Sequence, residues 1–148
     1  MKNKFSDEPA TDRRRIRAAM ERLAIAGLLF VAIGLVAPFA SMGNLTLMLI
    51  FKWIFAAGAF LYTVARIVGA WGKDESFRVR RLRRMEAWAG IAFCIAAFFW
   101  FYNTRRFDGF TLTFKMLNET IIFTLAGALI QIVASWSINS ALKKENKG

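Results

Sequence analysis

Four long apolar segments place the strongest restriction on how this chain can fold. They cover residues 23–40, 45–71, 87–102 and 110–136, which contain 18, 27, 16 and 27 residues. A helix rises about 1.5 Å per residue, and the hydrocarbon core of a bilayer is about 30 Å thick. The segments therefore predict an all-α membrane protein with four transmembrane helices. The third segment is the shortest, and we expect Arg84 and Arg105 at its ends to extend its reach to the headgroups.

The composition excludes several classes of protein. Apolar residues make up 57% of the 148 residues, whereas a soluble domain averages about 45–50%. The formal charge of +11 comes from residues that flank the apolar segments and not from a soluble basic module, so we expect no nucleic-acid binding. Histidine is absent and Cys94 is the single cysteine, so we expect no metal site. With no phosphate-binding glycine loop and no nucleophile–base set, we expect no cofactor and no enzyme; an enzyme acting on lipid is the least favoured alternative.

The distribution of basic residues predicts an orientation. Seven lie in residues 1–22, six in residues 73–86 and three in residues 137–148, whereas the turns at the opposite ends hold only Arg105 and Arg106. The positive-inside rule then places both termini in the cytoplasm of a multi-pass protein of the cell inner (plasma) membrane. Residues 23–40 also resemble a secretory signal peptide, but the long basic lead-in, the 18-residue run and Pro38 favour a retained helix.

The chain divides into five parts that suggest an internal repeat. These are a cytoplasmic basic tail (1–22), a transmembrane hairpin (23–72), an arginine-rich cytoplasmic hinge (73–86), a second transmembrane hairpin (87–136) and a cytoplasmic tail (137–148). Shifting the sequence by 65 residues aligns Met20-Glu21 with Met85-Glu86, Ile67-Val68 with Ile132-Val133, and Trp71 with Trp136. The shift predicts two tandem helical hairpins related as parallel repeats. The alternative is that any two membrane hairpins look alike.

Small residues recur at helical spacing and predict close contacts between helices. On the first segment they are Ala24, Gly27, Val31, Gly34 and Pro38, and on the second Gly58, Ala65 and Gly69. Such faces let helix backbones approach closely in a membrane. We therefore expect a non-enzymatic membrane subunit or scaffold that forms a homo-oligomer or joins a larger membrane complex through these faces.

Polar residues inside the apolar segments are the candidates for an intramembrane site. They are Lys52, Arg66, Lys115, Asn118, Glu119 and Gln131. The repeat puts Lys52 and Glu119 at similar depth, which predicts an ion pair with Lys115 one turn away. That pair is structural in the favoured interpretation, and in the alternative it is the coupling site of a small oligomeric transporter or channel. Gln131, together with Thr120, Thr124 and Gly127, predicts a stripe used for interhelical packing and hydrogen bonding.

Arginines near the ends of the segments predict contacts with anionic lipid headgroups or with an acidic partner. The candidates are Arg78, Arg80, Arg81, Arg83 and Arg84. Their alternative role is to act only as an orientation signal. Arg66 lies about five residues from the end of its segment, where a long side chain is expected to extend to the headgroups.

Overall fold

The structure is a computed structural model that describes residues 8–41, 44–70, 76–104 and 116–148. Within these residues it contains helices and no strand. The helices are α1 (Glu8–Ser41), α2 (Leu45–Ala70), α3 (Phe77–Thr104) and α4 (Ile121–Glu145), and a π-helical turn (Met116–Thr120) precedes α4. By length and composition, four of the described helices can cross a membrane, within the spans Asp12–Val36, Thr46–Ala70, Phe77–Thr104 and Asn118–Glu145. The predicted all-α architecture with four candidate membrane-spanning helices is confirmed.

The helices extend well into the polar sequence on either side of the apolar segments. Helix α1 begins at Glu8, and α4 continues to Glu145. Helix α3 begins at Phe77, so residues 77–86 form its first turns and are not a separate hinge. The 28 residues of α3 give a length of about 42 Å, which is enough to cross a bilayer. Arg105, expected to lengthen this segment, lies outside the described residues.

Side chains cap two of the helix starts. The Asn44 Oδ1 atom accepts a hydrogen bond from the Thr46 backbone N–H at 3.2 Å, at the start of α2. At the start of α3, the Ser76 Oγ atom accepts one from the Val79 backbone N–H at 3.5 Å. The first N–H groups of a helix have no acceptor within the helix, so such caps favour these starting points.

Each helix packs mainly against its neighbour in the chain, α1 on α2, α2 on α3 and α3 on α4. Helices α1 and α2 approach each other closely at two glycines, Gly27 and Gly58. A Cβ atom added to Gly27 would lie 2.8 Å from the Gly58 carbonyl oxygen, and one added to Gly58 would lie 2.9 Å from the Val31 backbone nitrogen. No side chain other than hydrogen fits at these positions without moving the helices apart.

Glycines also stand at the other two helix contacts. A Cβ atom on Gly90 of α3 would lie 2.7 Å from Thr63 Oγ1 of α2. One on Gly127 of α4 would lie 2.8 Å from Phe93 Cε1 of α3. The small residues singled out on the first segment, Ala24, Gly27, Val31 and Gly34, are buried, while the side chain of Pro38 lies outside the described residues. The predicted small-residue faces are therefore in use within the chain.

Two apolar clusters frame the region where polar side chains gather. The larger contains edge-to-face or tilted ring pairs, with centroids 5.4 Å apart for Phe55–Trp100 and for Tyr62–Phe93. The smaller joins the start of α3 to the last turns of α4 through Val79, Ile138 and Ala141. At the arginine-rich end of the bundle, α2 ends and α3 begins.

Candidate functional site: a buried polar cluster at the arginine-rich end

The centre of the site is Glu86, a buried carboxylate on α3. Its residue is 4% exposed, although the surrounding sequence is strongly charged. The Glu86 Oε2 atom lies 3.4 Å from Arg66 Nη1 of α2 and 3.9 Å from Arg83 Nη1, one turn earlier on α3. A carboxylate with so little access to water needs opposite charge close by, and the two guanidinium groups supply it.

A chain of hydrogen bonds extends the site from Glu86 towards the membrane-spanning part of the bundle. The Ser135 hydroxyl donates to Glu86 Oε1 at 3.4 Å, and Gln131 Nε2 donates to Ser135 Oγ at 3.1 Å. The Tyr62 hydroxyl donates to Gln131 Oε1. The Arg66 guanidinium also lies over the Tyr62 ring, 5.5 Å from its centroid. We refer to Tyr62, Arg66, Arg83, Glu86, Gln131 and Ser135 as the polar cluster.

The polar cluster joins three helices at one level. Tyr62 and Arg66 come from α2, Arg83 and Glu86 from α3, and Gln131 and Ser135 from α4. Each pair is spaced three or four residues apart, which places both side chains on one face of its helix. Contacts between helices give Glu86 and Gln131 the polar partners that lipid could not supply.

A small cleft opens beside the polar cluster between α1, α2 and α3. Its volume is about 10 Å³, close to that needed for one water molecule. Its lining combines charged and apolar side chains: Arg17, Arg66 and Arg83, Glu21 and Glu86, and Met20, Ala65 and Gly69. The cleft therefore gives the charged edge of the polar cluster access to the surroundings.

The predicted reach of Arg66 to the headgroups stays a prediction. Its side chain is 18% exposed and turns towards Glu86. Gln131, by contrast, has the predicted packing role. It is buried together with Thr120, Thr124 and Gly127, and its amide bonds to side chains of α2 and α4.

The other predicted intramembrane residues lie towards the opposite end of the bundle. Glu119 Oε2 accepts a hydrogen bond from the Asn103 amide at 2.9 Å, and Asn103 is buried. Lys52 Nζ lies 4.5 Å from the centroid of the Phe101 ring. Asn118 is exposed. Lys115 lies outside the described residues, and pairing of Lys52 with Glu119 stays a prediction.

The five arginines proposed to contact lipid headgroups separate into two groups. Arg78, Arg80, Arg81 and Arg84 are exposed. The Arg83 side chain is only 14% exposed and points to Glu86. Because these residues lie on one helix, their positions around its axis direct Arg83 inward and the other four outward.

Sequence reasoning missed two members of the polar cluster that matter most, Glu86 and Tyr62. A signal for Glu86 was present, since it precedes Gly90 and Phe93 on the buried face of α3 by four and seven residues. Helical phase therefore predicts that Glu86 faces inward. No comparable signal existed for Tyr62, whose partner Gln131 is 69 residues away.

Comparison with known proteins gives no further assignment. No protein family model, curated protein or solved structure matches the chain. Within the residues that the structure describes, no three His, Cys, Asp or Glu side chains are grouped as metal ligands would be.

Proposed function

We propose that the protein is a non-enzymatic subunit or scaffold of the cell inner membrane. The observation that carries this proposal is the close packing of the described helices on one another. The polar side chains of the cluster bond to one another, and glycines bring neighbouring helices into backbone contact. Lateral association would use the outer surfaces, where large apolar side chains are exposed.

The proposed topology is two tandem hairpins with both termini in the cytoplasm. The packing of α1 on α2 and of α3 on α4 supports the hairpins. The orientation rests on the excess of Lys and Arg at one end of the bundle. A cysteine at Asn44, in a Cys94→Ala background, should be labelled by a membrane-impermeant maleimide from the periplasmic side. Labelling of this position only from the cytoplasm would contradict the topology.

Burial supports the proposed internal repeat. Phe55, Ala59 and Tyr62 of α2 are buried, and the residues 65 positions later are also buried. These are Thr120 of the π-helical turn and Thr124 and Gly127 of α4. Equivalent faces of the second and fourth helices are thus directed inward, as a duplicated hairpin requires.

We also infer which surfaces remain for association. The described small-residue faces are occupied by helices of the same chain. The outer surfaces carry larger side chains instead, including Leu29, Ile33 and Val36 on α1 and Leu125, Leu129 and Ile132 on α4. We therefore place the contacts with a second copy or with another membrane subunit on these two helices.

Oxidative cross-linking in native membranes tests the proposal. Single cysteines at Leu29 on α1 and Leu129 on α4, in a Cys94→Ala background, probe the two surfaces, and a cysteine at Ile95 on the exposed side of α3 is the matched control. We expect one of the first two positions to form a specific cross-link to a second copy or to another membrane protein, which mass spectrometry identifies. Equal, weak cross-linking at all three positions would argue against the scaffold role.

The rival function is a small oligomeric transporter or channel. The contact between Asn103 and Glu119 favours it, because a carboxylate within a membrane-spanning segment can exchange a cation or proton. Flux into proteoliposomes that is lost in Glu119→Gln, but retained in Glu21→Gln, would establish transport and replace the scaffold proposal.

A further inference from the structure

The cleft beside the polar cluster has the chemistry of a site for an anionic amphiphile. Its three arginines come from three different helices, Arg17 from α1, Arg66 from α2 and Arg83 from α3. The lining also contains the carboxylates of Glu21 and Glu86, so three positive and two negative charges give it a net charge of +1. Arginine binds phosphate and carboxylate groups through paired N–H donors, so the preferred ligand is an oxyanion.

One arginine donor in this lining lacks an acceptor. Arg66 Nη1 contacts Glu86, but Arg66 Nε is buried and has no hydrogen-bond partner among the described residues. Buried N–H groups are nearly always satisfied by protein, water or ligand. An oxygen atom of a ligand at the cleft would supply the acceptor after a small rotation of the guanidinium group.

The rest of the lining fits the apolar part of a lipid. Met20, Ala65 and Gly69 form an uncharged wall next to the arginines. Gly69 leaves space there, since the nearest side-chain atom to an added Cβ, Met20 Cβ, would be 3.6 Å away. A headgroup phosphate against arginine and an acyl chain against this wall would use both parts of the lining.

Exposed tryptophans near the cleft support a position at the depth of the headgroups. Trp88 on α3 and Trp136 on α4 are exposed close to Arg83 and Ser135 in the sequence. Exposed tryptophans concentrate at the boundary between hydrocarbon and headgroups. The exposed arginines at the same end, such as Arg78 and Arg81, add a positive field that attracts anionic lipids.

We propose that the phosphate group of an anionic phospholipid binds across the opening of the cleft, whose enclosed volume holds only about one water molecule. Arg17, Arg66 and Arg83 contact the phosphate oxygens, and the acyl chain begins against Met20 and Gly69. Exposed arginines such as Arg78 and Arg81 attract anionic lipids without holding them in a fixed geometry. The cleft differs from these general contacts, which the sequence predicts, because its arginines hold one phosphate group at a defined place. The site does not depend on the proposed scaffold role, because it needs no second protein.

Native mass spectrometry of the full-length protein tests the site. Protein is reconstituted in nanodiscs of phosphatidylcholine with a minor fraction of phosphatidylglycerol, and the retained phosphatidylglycerol is measured. The double variant Arg17→Gln, Arg83→Gln is compared with Arg15→Gln, Arg81→Gln, which removes the same charge from positions of the same two helices that do not line the cleft. We expect the first variant to lose at least about tenfold in retention, the effect of one charge-assisted hydrogen bond, and the control to change little. Equal losses of retained phosphatidylglycerol in the two double variants, or no loss in either, would overturn the proposal.

Two further measurements separate lipid binding from other effects. In the first, inorganic phosphate is titrated against the same nanodiscs. Failure of phosphate to displace phosphatidylglycerol supports a lipid site. Displacement by phosphate at a concentration comparable to that of phosphatidylglycerol overturns the lipid assignment in favour of a free anion. If circular dichroism shows that the double variant is unfolded, Arg83→Lys replaces it, since lysine keeps the charge but loses the paired donors. Retention reduced in Arg83→Lys supports the site, and unchanged retention overturns it.

Discussion

The contact between α1 and α2 predicts that Gly58→Ala destabilises the protein although alanine is the better helix former. The new Cβ atom would lie 2.6 Å from Phe30 Cβ and 2.8 Å from the Gly27 carbonyl oxygen. Carbon atoms in favourable contact are about 3.5–4.0 Å apart. Both obstacles are attached rigidly to the backbone of α1, so the two helices must separate and no side-chain rotation can relieve the clash.

The magnitude of this effect follows from overpacking and from helix propensity. A separation of about 0.5–1 Å removes a quarter to a half of the dispersion energy at the contact. Overpacking of this kind costs about 1–3 kcal/mol. Replacing glycine by alanine within a helix contributes about 1 kcal/mol in the opposite direction. The observed loss should therefore be smaller than the steric cost, and a control is needed to separate the two terms.

Gly69→Ala is the matched control for this prediction. It lies on the same helix, and its added Cβ atom would make an ordinary contact at 3.6 Å with Met20 Cβ. The difference in free energy of unfolding between the two variants therefore isolates the steric term, about 1–3 kcal/mol. Reversible unfolding in mixed micelles, followed by circular dichroism, measures it. If the free energies of unfolding of Gly58→Ala and Gly69→Ala differ by less than about 0.5 kcal/mol, the usual effect of a neutral surface change, the close contact between α1 and α2 is refuted.

Two other predictions concern the polar cluster. Glu86→Gln removes the carboxylate between two arginines and should lower the free energy of unfolding by about 3 kcal/mol. The control Glu21→Gln, at an exposed position, should have little effect. Similar losses of stability in both variants would show that Glu86 is not a buried charge. Tyr62→Phe leaves the Gln131 carbonyl without its donor and should cost about 1–3 kcal/mol with unchanged helix content. Wild-type stability of Tyr62→Phe in the same unfolding assay would contradict the hydrogen bond.

Helix identity and helix faces were predictable because they follow from hydrophobicity and spacing. The four apolar segments identify the four candidate spans, and the positions of Gly27 and Gly34 identify the face of α1 that meets α2. The boundaries were less predictable. The charged residues before the third apolar segment form the first turns of α3, since a helix can extend beyond a membrane without exposing an apolar face to water.

The polar cluster was only half predictable, for a geometric reason. Arg66 and Gln131 stand out because they interrupt apolar segments, but Glu86 lies at the border of one and is hidden among arginines. Its inward direction requires the rotation of α3 about its axis. The bond from Tyr62 to Gln131 further requires the relative rotation of α2 and α4, which are not neighbours in the chain. Sequence periodicity describes single helices and carries little information about such pairs.

The sequential packing of the helices bears on how the protein is made. Each helix docks mainly on the one synthesised just before it, so assembly can follow the order of translation. Arg66 of α2 is made before its carboxylate partner, which lies 20 residues later on α3. At about 5–20 residues per second, the ribosome would deliver Glu86 some 1–4 s after Arg66. In a chain inserted during translation, the guanidinium group would stay in the translocon or at the lipid boundary for that interval, until α3 brings Glu86 beside it.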